Sequence, residues 1–270
     1  MRASALVLAA ALSIAALAAP LAAQTRPLQT ETALTAPAGQ LVLETGFDAI
    51  ASEPSFETGV ARSAWSGPLL RLVYSPAGNV ELDVEWVVRV GVWGEALRHG
   101  AQSSDFGDVA LRAKWRWARG GGHRPALGGR FGVYLPETSY EDKQFRPLGL
   151  GPNTLRFFVE GLLTRPVGRG RLHANAGLFL ADEVYRPHDQ RDFLSYGLAL
   201  EWPLHASVSA LAELAGRAGD GRPGTEARSE ARAGLRWARG RIAWGVALRR
   251  GLAAADGSWG ATAGLSWTIR

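Results

Sequence analysis

From Gly39 onward, hydrophobic and polar residues alternate with a period of two. The clearest stretch runs from Val80 to Val92. Its even positions are Val80, Leu82, Val84, Trp86, Val88, Val90 and Val92, and its odd positions include Glu81, Asp83, Glu85 and Arg89. A strand sends successive side chains to opposite faces, so this stretch predicts one apolar face and one highly charged face. Val109, Leu111, Ala113, Trp115 and Trp117 oppose Asp108, Arg112, Lys114 and Arg116 in the same way. Leu155, Phe157, Val159 and Leu163 oppose Arg156 and Glu160. Ala231, Ala233, Leu235 and Trp237 oppose Arg228, Glu230, Arg232 and Arg236.

Followed to the end of the chain, the alternation predicts twelve strands, at approximately 40–51, 66–75, 80–93, 105–117, 125–135, 154–165, 171–181, 192–202, 207–217, 227–237, 242–250 and 259–269. The connections carry a second signal. Those at 76–79, 118–124, 166–170, 203–206 and 238–241 are short, and those at 52–65, 94–104, 136–153, 182–191, 218–226 and 251–258 are longer. Long and short alternate throughout. An all-β, transmembrane, antiparallel up-and-down β-barrel has this plan, with short periplasmic turns and longer extracellular loops. An even strand count then places both termini on the periplasmic side.

Charge makes the barrel reading sharper. The chain is 20% charged, so about 60 outward positions drawn at random would hold roughly a dozen charges. The outward strand interiors, as phased, hold none. A lysine or arginine on the lipid face at mid-membrane costs about 2–4 kcal/mol, and this is the absence that cost predicts. Tyr74, Trp115, Trp117, Trp202, Trp237, Trp244 and Trp267 fall near short turns, and Trp65, Trp93 and Trp259 near long loops. Such rings favour a membrane–water boundary, where one end is apolar and the other wet. A soluble β-sandwich also alternates, but it accounts neither for the loop lengths nor for tryptophans grouped at strand ends.

The first residues differ from the rest. Arg2, the uncharged Ala/Leu/Val run to Leu17, Pro20 and the small residues ending at Ala23 read as a secretory signal peptide over 1–23. Residues 24–38, rich in Pro and Thr, read as a flexible N-terminal arm, and 39–270 as the barrel. After residue 23 no apolar run reaches the roughly 20 residues of a membrane helix. The 270 residues include no cysteine, which removes disulfides, Cys-based metal sites and lipid attachment at cysteine. The net charge of +5 is spread along the chain, so nucleic acid is not an expected partner. The expected surroundings are outer-membrane lipid and lipopolysaccharide.

Candidate chemistry lies on the inward face. Beside the charged positions named above, Arg71, Arg130, His173, Asn175, Glu201, Glu213 and Arg249 point inward by phase. A plausible register opposes Glu85 to Arg112, Asp83 to Lys114 and Glu81 to Arg116, a ladder of opposite charges. Such a lining either conducts small solutes or fills a narrow barrel with ion pairs; twelve strands lie between the filled and the open sizes. Catalytic signals are weak: His99 and His188 sit in long loops, His123 and His205 in short turns and His173 on an inward face, with nothing setting the nucleophile–base geometry that catalysis needs. A rim enzyme acting on lipid or peptide, and a closed adhesive barrel binding through loop 136–153, remain as alternatives. Glu137, Glu141 and Asp142 are solvated loop charge or a weak cation site. No catalytic residue, metal or cofactor is assigned.

The final strand carries Thr262, Gly264, Trp267 and Ile269, the polar, glycine, aromatic, hydrophobic spacing that outer-membrane assembly machinery reads. Three further segments carry a likeness to a known family. They are Asp105-Phe106-Gly107-Asp108-Val109 with Lys114-Trp115, Leu135-Pro136-Glu137-Thr138-Ser139, and Tyr196-Gly197-Leu198-Ala199. With them the chain resembles the outer-membrane transporters named for the meta-pathway of phenol degradation. The resemblance implies a barrel of about twelve strands that passes small solutes, aromatic or hydrophobic compounds among them. It transfers no catalytic residue.

Overall fold

The computed structural model describes residues 26–55, 59–93, 104–137, 150, 154–183, 186–222 and 224–269. The segment read as a signal peptide, His99 and most of loop 136–153 lie outside them. Among the described residues the regular elements are all strands: β1 (Leu41–Pro54), β2 (Ala61–Ala77), β3 (Val80–Val87), β4 (Val90–Trp93), β5 (Ser104–Asp105), β6 (Val109–Ala118), β7 (Ala126–Leu135), β8 (Arg156–Val167), β9 (Gly170–Glu183), β10 (Arg186–His205), β11 (Val208–Arg217), β12 (Arg228–Arg239), β13 (Ile242–Gly251) and β14 (Trp259–Thr268). Twelve long antiparallel strands form one sheet, with β4 and β5 as two short additions. β1 pairs with β2 on one side and β14 on the other, which closes the barrel and leaves no edge.

The alternation becomes the two faces of the wall. Leu72, Tyr74, Leu82, Val84, Leu111, Trp115 and Trp117 are exposed on the outside. Between them, Arg71, Glu81, Asp83, Arg112 and Lys114 are buried on the inside. That is the inverse of a water-soluble protein, and it is the arrangement of a barrel whose outer face meets lipid.

Two expectations are corrected. The predicted strand 80–93 is broken at Val88-Arg89, which stay bonded to β2 opposite Gly67-Pro68: Val88 N donates to Pro68 O (3.0 Å) and Arg89 O accepts from Gly67 N (2.8 Å). The break resets the alternation, so Val92 is buried and Trp93 exposed. Arg89 therefore does not line the lumen. It is exposed, with its guanidinium 5.4 Å from the centroid of Phe106, whose ring stacks on outward-facing Trp86. The β3–β6 register is the second correction. The structure opposes Asp83 to Arg112 and Glu81 to Lys114, and Glu85 faces Ala110, a slip of two residues from the expected ladder. A slip of two leaves every side chain on its own face, and the long connection between these strands does not set the register as a tight turn would. Arg116, left without a partner carboxylate across the pair, donates to Gly78 O at 2.6 Å.

Candidate functional site

The inward charges form a nearly continuous network. Arg71 pairs with Asp83 (3.1 Å) and Glu44 (3.4 Å), and Arg112 with Asp83 (2.6 Å) and Glu85 (2.9 Å). Lys114 pairs with Glu81 at 2.5 Å and Arg130 with Glu160 at 2.6 Å. Arg156 pairs with Asp108, Arg236 with Glu201, and Arg249 with Glu230. Arg232 bridges Glu230 (2.5 Å) and Glu213 (3.7 Å), and Arg228 reaches Glu53 (2.5 Å). Of the inward residues expected from the sequence, Arg71, Glu81, Asp83, Arg112, Lys114, Arg130, Glu160, His173, Asn175, Glu213, Glu230 and Arg232 are buried, and Arg89 is exposed. Glu44 and Asp48 also follow the alternation of β1 and belong with them.

The larger departure concerns the N-terminal segment. Residues 26–38 are not a free arm; they run inside the barrel, from mid-lumen at Arg26 to the short-turn end at Gly39, where the chain enters β1. The segment has no ladder of its own, and the wall satisfies its backbone. Glu213 accepts from the N–H groups of Gln29 (2.9 Å) and Thr30 (2.5 Å). Thr164 Oγ1 accepts from Ala33 N (2.9 Å), Glu81 from Ala36 N (2.6 Å), and Pro27 O from Arg232 (2.8 Å). With its amide turned so that both groups are satisfied, Asn175 donates to Glu31 O (2.8 Å) and accepts from Glu31 N (3.0 Å). Buried polar backbone needs such partners. Apolar contacts complete the fit: Leu28 packs on Ala199 and Leu211, and Ala33 on Ala126 and Leu162.

Glu31 is the hub. Its carboxylate pairs with Arg130 (2.9 Å), Arg71 (3.2 Å) and Lys114 (3.4 Å), and its side chain is 1% exposed. Burial pushes its carboxyl up, but the three cations outweigh burial and hold it well below the usual carboxylate range. At the upper end Arg26 pairs with Asp48 (3.3 Å) and Glu85 (3.8 Å). His173, expected inward, is a structural partner: its Nδ1 lies 2.9 Å from Thr164 Oγ1, the hydroxyl that also holds Ala33 and contacts Thr32.

Close approach of the segment explains two inward glycines. A Cβ on Gly197 would stand 2.6 Å from Thr30 Oγ1, and one on Gly245 2.6 Å from Pro27 Cδ. Gly197→Val should therefore weaken docking of the segment by about 1–3 kcal/mol while the barrel persists. Amide exchange at Gln29 and Thr30 checks this: those two sites should speed up and the β9–β11 ladder should not. Equal protection in both proteins would show that the segment has room to spare.

Above the segment is a cavity of about 470 Å³, with Arg26, Leu28, Gln29, Thr30 and Glu31 among the residues that line it. One wall holds an aromatic row. Phe158, Phe179 and Phe193 are direct cross-strand neighbours on β8, β9 and β10, with centroids 5.1 and 5.2 Å apart and planes within 16°. Arg130 caps the row over Phe158 (5.2 Å) and Arg217 over Phe193 (4.8 Å). Tyr134 joins diagonally, with Arg156 over its ring at 4.8 Å.

Among the described residues no cluster of three or more His, Asp and Glu is placed to hold a metal. Of the final-strand pattern, Thr262 is buried inside, Trp267 and Ile269 are exposed outside, and a Cβ on Gly264 would stand 2.8 Å from Arg26 Cβ. This strand closes the barrel against β1.

Residues 150–262 match the family model described as Uncharacterised conserved protein UCP029691. No curated protein matches the sequence. Among solved structures, the COG4313 outer membrane channel from Pseudomonas putida F1 is similar with a TM-score of 0.67 at 15% identity, covering 91% of this chain and 100% of that one. The translocator domain of autotransporter NalP from Neisseria meningitidis is similar with a TM-score of 0.51 at 14% identity, covering 86% and 89%. What this chain shares with both is the fold, a closed antiparallel β-barrel of the outer-membrane type.

Proposed function

We propose that the chain is an exported outer-membrane barrel that passes small solutes passively, with its N-terminal segment limiting the opening. The observation that carries this reading is the lumen itself: a charged wall around a cavity, narrowed by a separate segment held through side chains and not by a sheet ladder. A wall this polar costs less when wetted than when sealed, because each buried pair must offset its own desolvation. The short-turn end is assigned to the periplasm and the cavity to the outside, from the loop lengths. Lipid and lipopolysaccharide cover the apolar outer face, and the assembly machinery reads β14. The COG4313 channel, similar in fold, supports the transport reading without naming a solute.

Single-channel recording of the refolded, heat-modifiable protein in planar bilayers tests the proposal, from low to high salt. Discrete steps are expected, with an ion preference that fades as salt screens the wall charges. If the inserted protein is silent at all salts, both with residues 26–37 and without them, it is not a channel.

A further inference from the structure

The row Arg217–Phe193–Phe179–Phe158–Arg130 spans five adjacent strands, β11 to β7, with an arginine over the outer ring at each end. The rings stack along the hydrogen-bonding direction of the sheet, at about the spacing of neighbouring strands. Their faces are therefore occupied by one another and by the guanidinium caps, and what they turn to the lumen is their edges. A ring edge is the positive rim of the aromatic quadrupole, which suits the face of another ring in a T-shaped contact. Tyr134, Phe179 and Phe193 line the cavity directly.

The same wall is rich in guanidinium. Arg217 and Arg228 are register partners on β11 and β12, and both line the cavity. Arg217 is the loosely engaged one. It donates to the carbonyls of Glu226 (2.9 Å) and Gly224 (3.0 Å), and its carboxylate pairing, with Glu226, is 3.7 Å, whereas Arg112 and Arg130 are paired at 2.6 Å. A guanidinium whose only carboxylate pairing among the described residues is long, set at the end of a row of aromatic edges and next to a second arginine, matches a ligand that joins a ring to a carboxylate.

We propose that the upper lumen is a binding site for a small planar aromatic carboxylate, its ring against the edges of Tyr134, Phe179 and Phe193 and its carboxylate at Arg217 and Arg228. This rests on the reading of the lumen as a solute path. The cavity, about 470 Å³, admits a single-ring acid with room for water.

Equilibrium dialysis of the full, refolded protein in detergent tests the site with three probes: benzoate, cyclohexanecarboxylate, which keeps the charge and loses the ring, and benzyl alcohol, which keeps the ring and loses the charge. Benzoate should bind saturably, and each of the other two about tenfold more weakly. Arg217→Gln and Phe179→Leu should each weaken benzoate binding about fivefold or more while heat-modifiability is retained. If benzoate binds no better than either control, or equally well to both variants, the proposal is overturned. Conductance without any ligand separates this outcome from failure of the channel reading: a conducting protein that ignores the ring and the charge has a pore without this site.

Discussion

A chain lacking residues 26–37 conducts in steps roughly ten times larger than the full chain, since the segment occupies the lumen, held there by wall residues from β1 to β12. The barrel still forms, because closure is made by β1 with β14 and by the turn-linked strand pairs, none of which uses the segment. Ion preference changes as well. Deletion takes Glu31 from between Arg71, Lys114 and Arg130, which keep their wall carboxylates, so one negative charge is lost at that level and ion preference shifts toward anions at low salt. Recordings of the two proteins under one salt series measure both effects. Identical step sizes would mean that ions already bypass the segment, and the assigned constriction would be wrong.

Glu31→Gln has the largest expected effect of any single substitution. The change keeps the shape and removes the charge, leaving Arg71, Lys114 and Arg130 each short of one buried carboxylate partner. Breaking a buried charge cluster by removing one partner costs about 3–5 kcal/mol. Most of that cost falls on docking of the segment, because Arg71, Lys114 and Arg130 keep their wall partners Asp83, Glu81 and Glu160. Amide exchange over residues 29–36 should accelerate by about two to three orders of magnitude, and the full-length variant should flicker between small and large conductance levels. Unchanged protection at Thr30 and Ala33 would sink the hub assignment. The pH dependence has a definite sign. Glu31 has its carboxyl held low, so its contribution is complete above the ordinary carboxylate range and is lost only as pH falls through its own depressed value, in stronger acid. Docking in the wild-type chain should therefore survive moderate acid as far as Glu31 decides it.

Most of the wall was legible in the primary structure. Period-two alternation placed twelve strands, most bounds within a few residues though β2 and β10 begin five and six residues earlier than expected, and it assigned Arg71, Lys114, Arg130, Glu160 and Glu213 to the inner face. It failed at Arg89, where two residues bonded to β2 break the strand; no repeat in the local pattern marks that break. The β3–β6 register also escaped it, because a slip of two residues conserves the faces and the choice is made by which ion pairs close. The inserted segment was the largest miss. Residues 24–38 have no periodicity, and the contacts of residues 26–38 are spread around the wall from β1 to β12, with no single strand to impose a repeat. A signal did exist in the wall: inward Leu162 and Leu211, both 3% exposed, and inward Gly197 and Gly245 suit a packed neighbour better than open water.

By itself, then, the order of residues determined the barrel, its twelve long strands and its two faces; the expected alternation of loop lengths holds only in part, because β9 runs to Glu183 and β10 starts at Arg186, where a long loop is expected. These follow from local rules, because a strand repeats every two residues and lipid excludes charge on one face. Only the tertiary structure decided that Glu31 meets Arg71, Lys114 and Arg130, that Glu213 holds the backbone of Gln29 and Thr30 from 183 and 184 residues away, and that Phe158, Phe179 and Phe193 stand in one row. The reason is physical: those contacts join distant parts of the chain, and their partners are chosen by barrel closure and strand register, which no local pattern encodes.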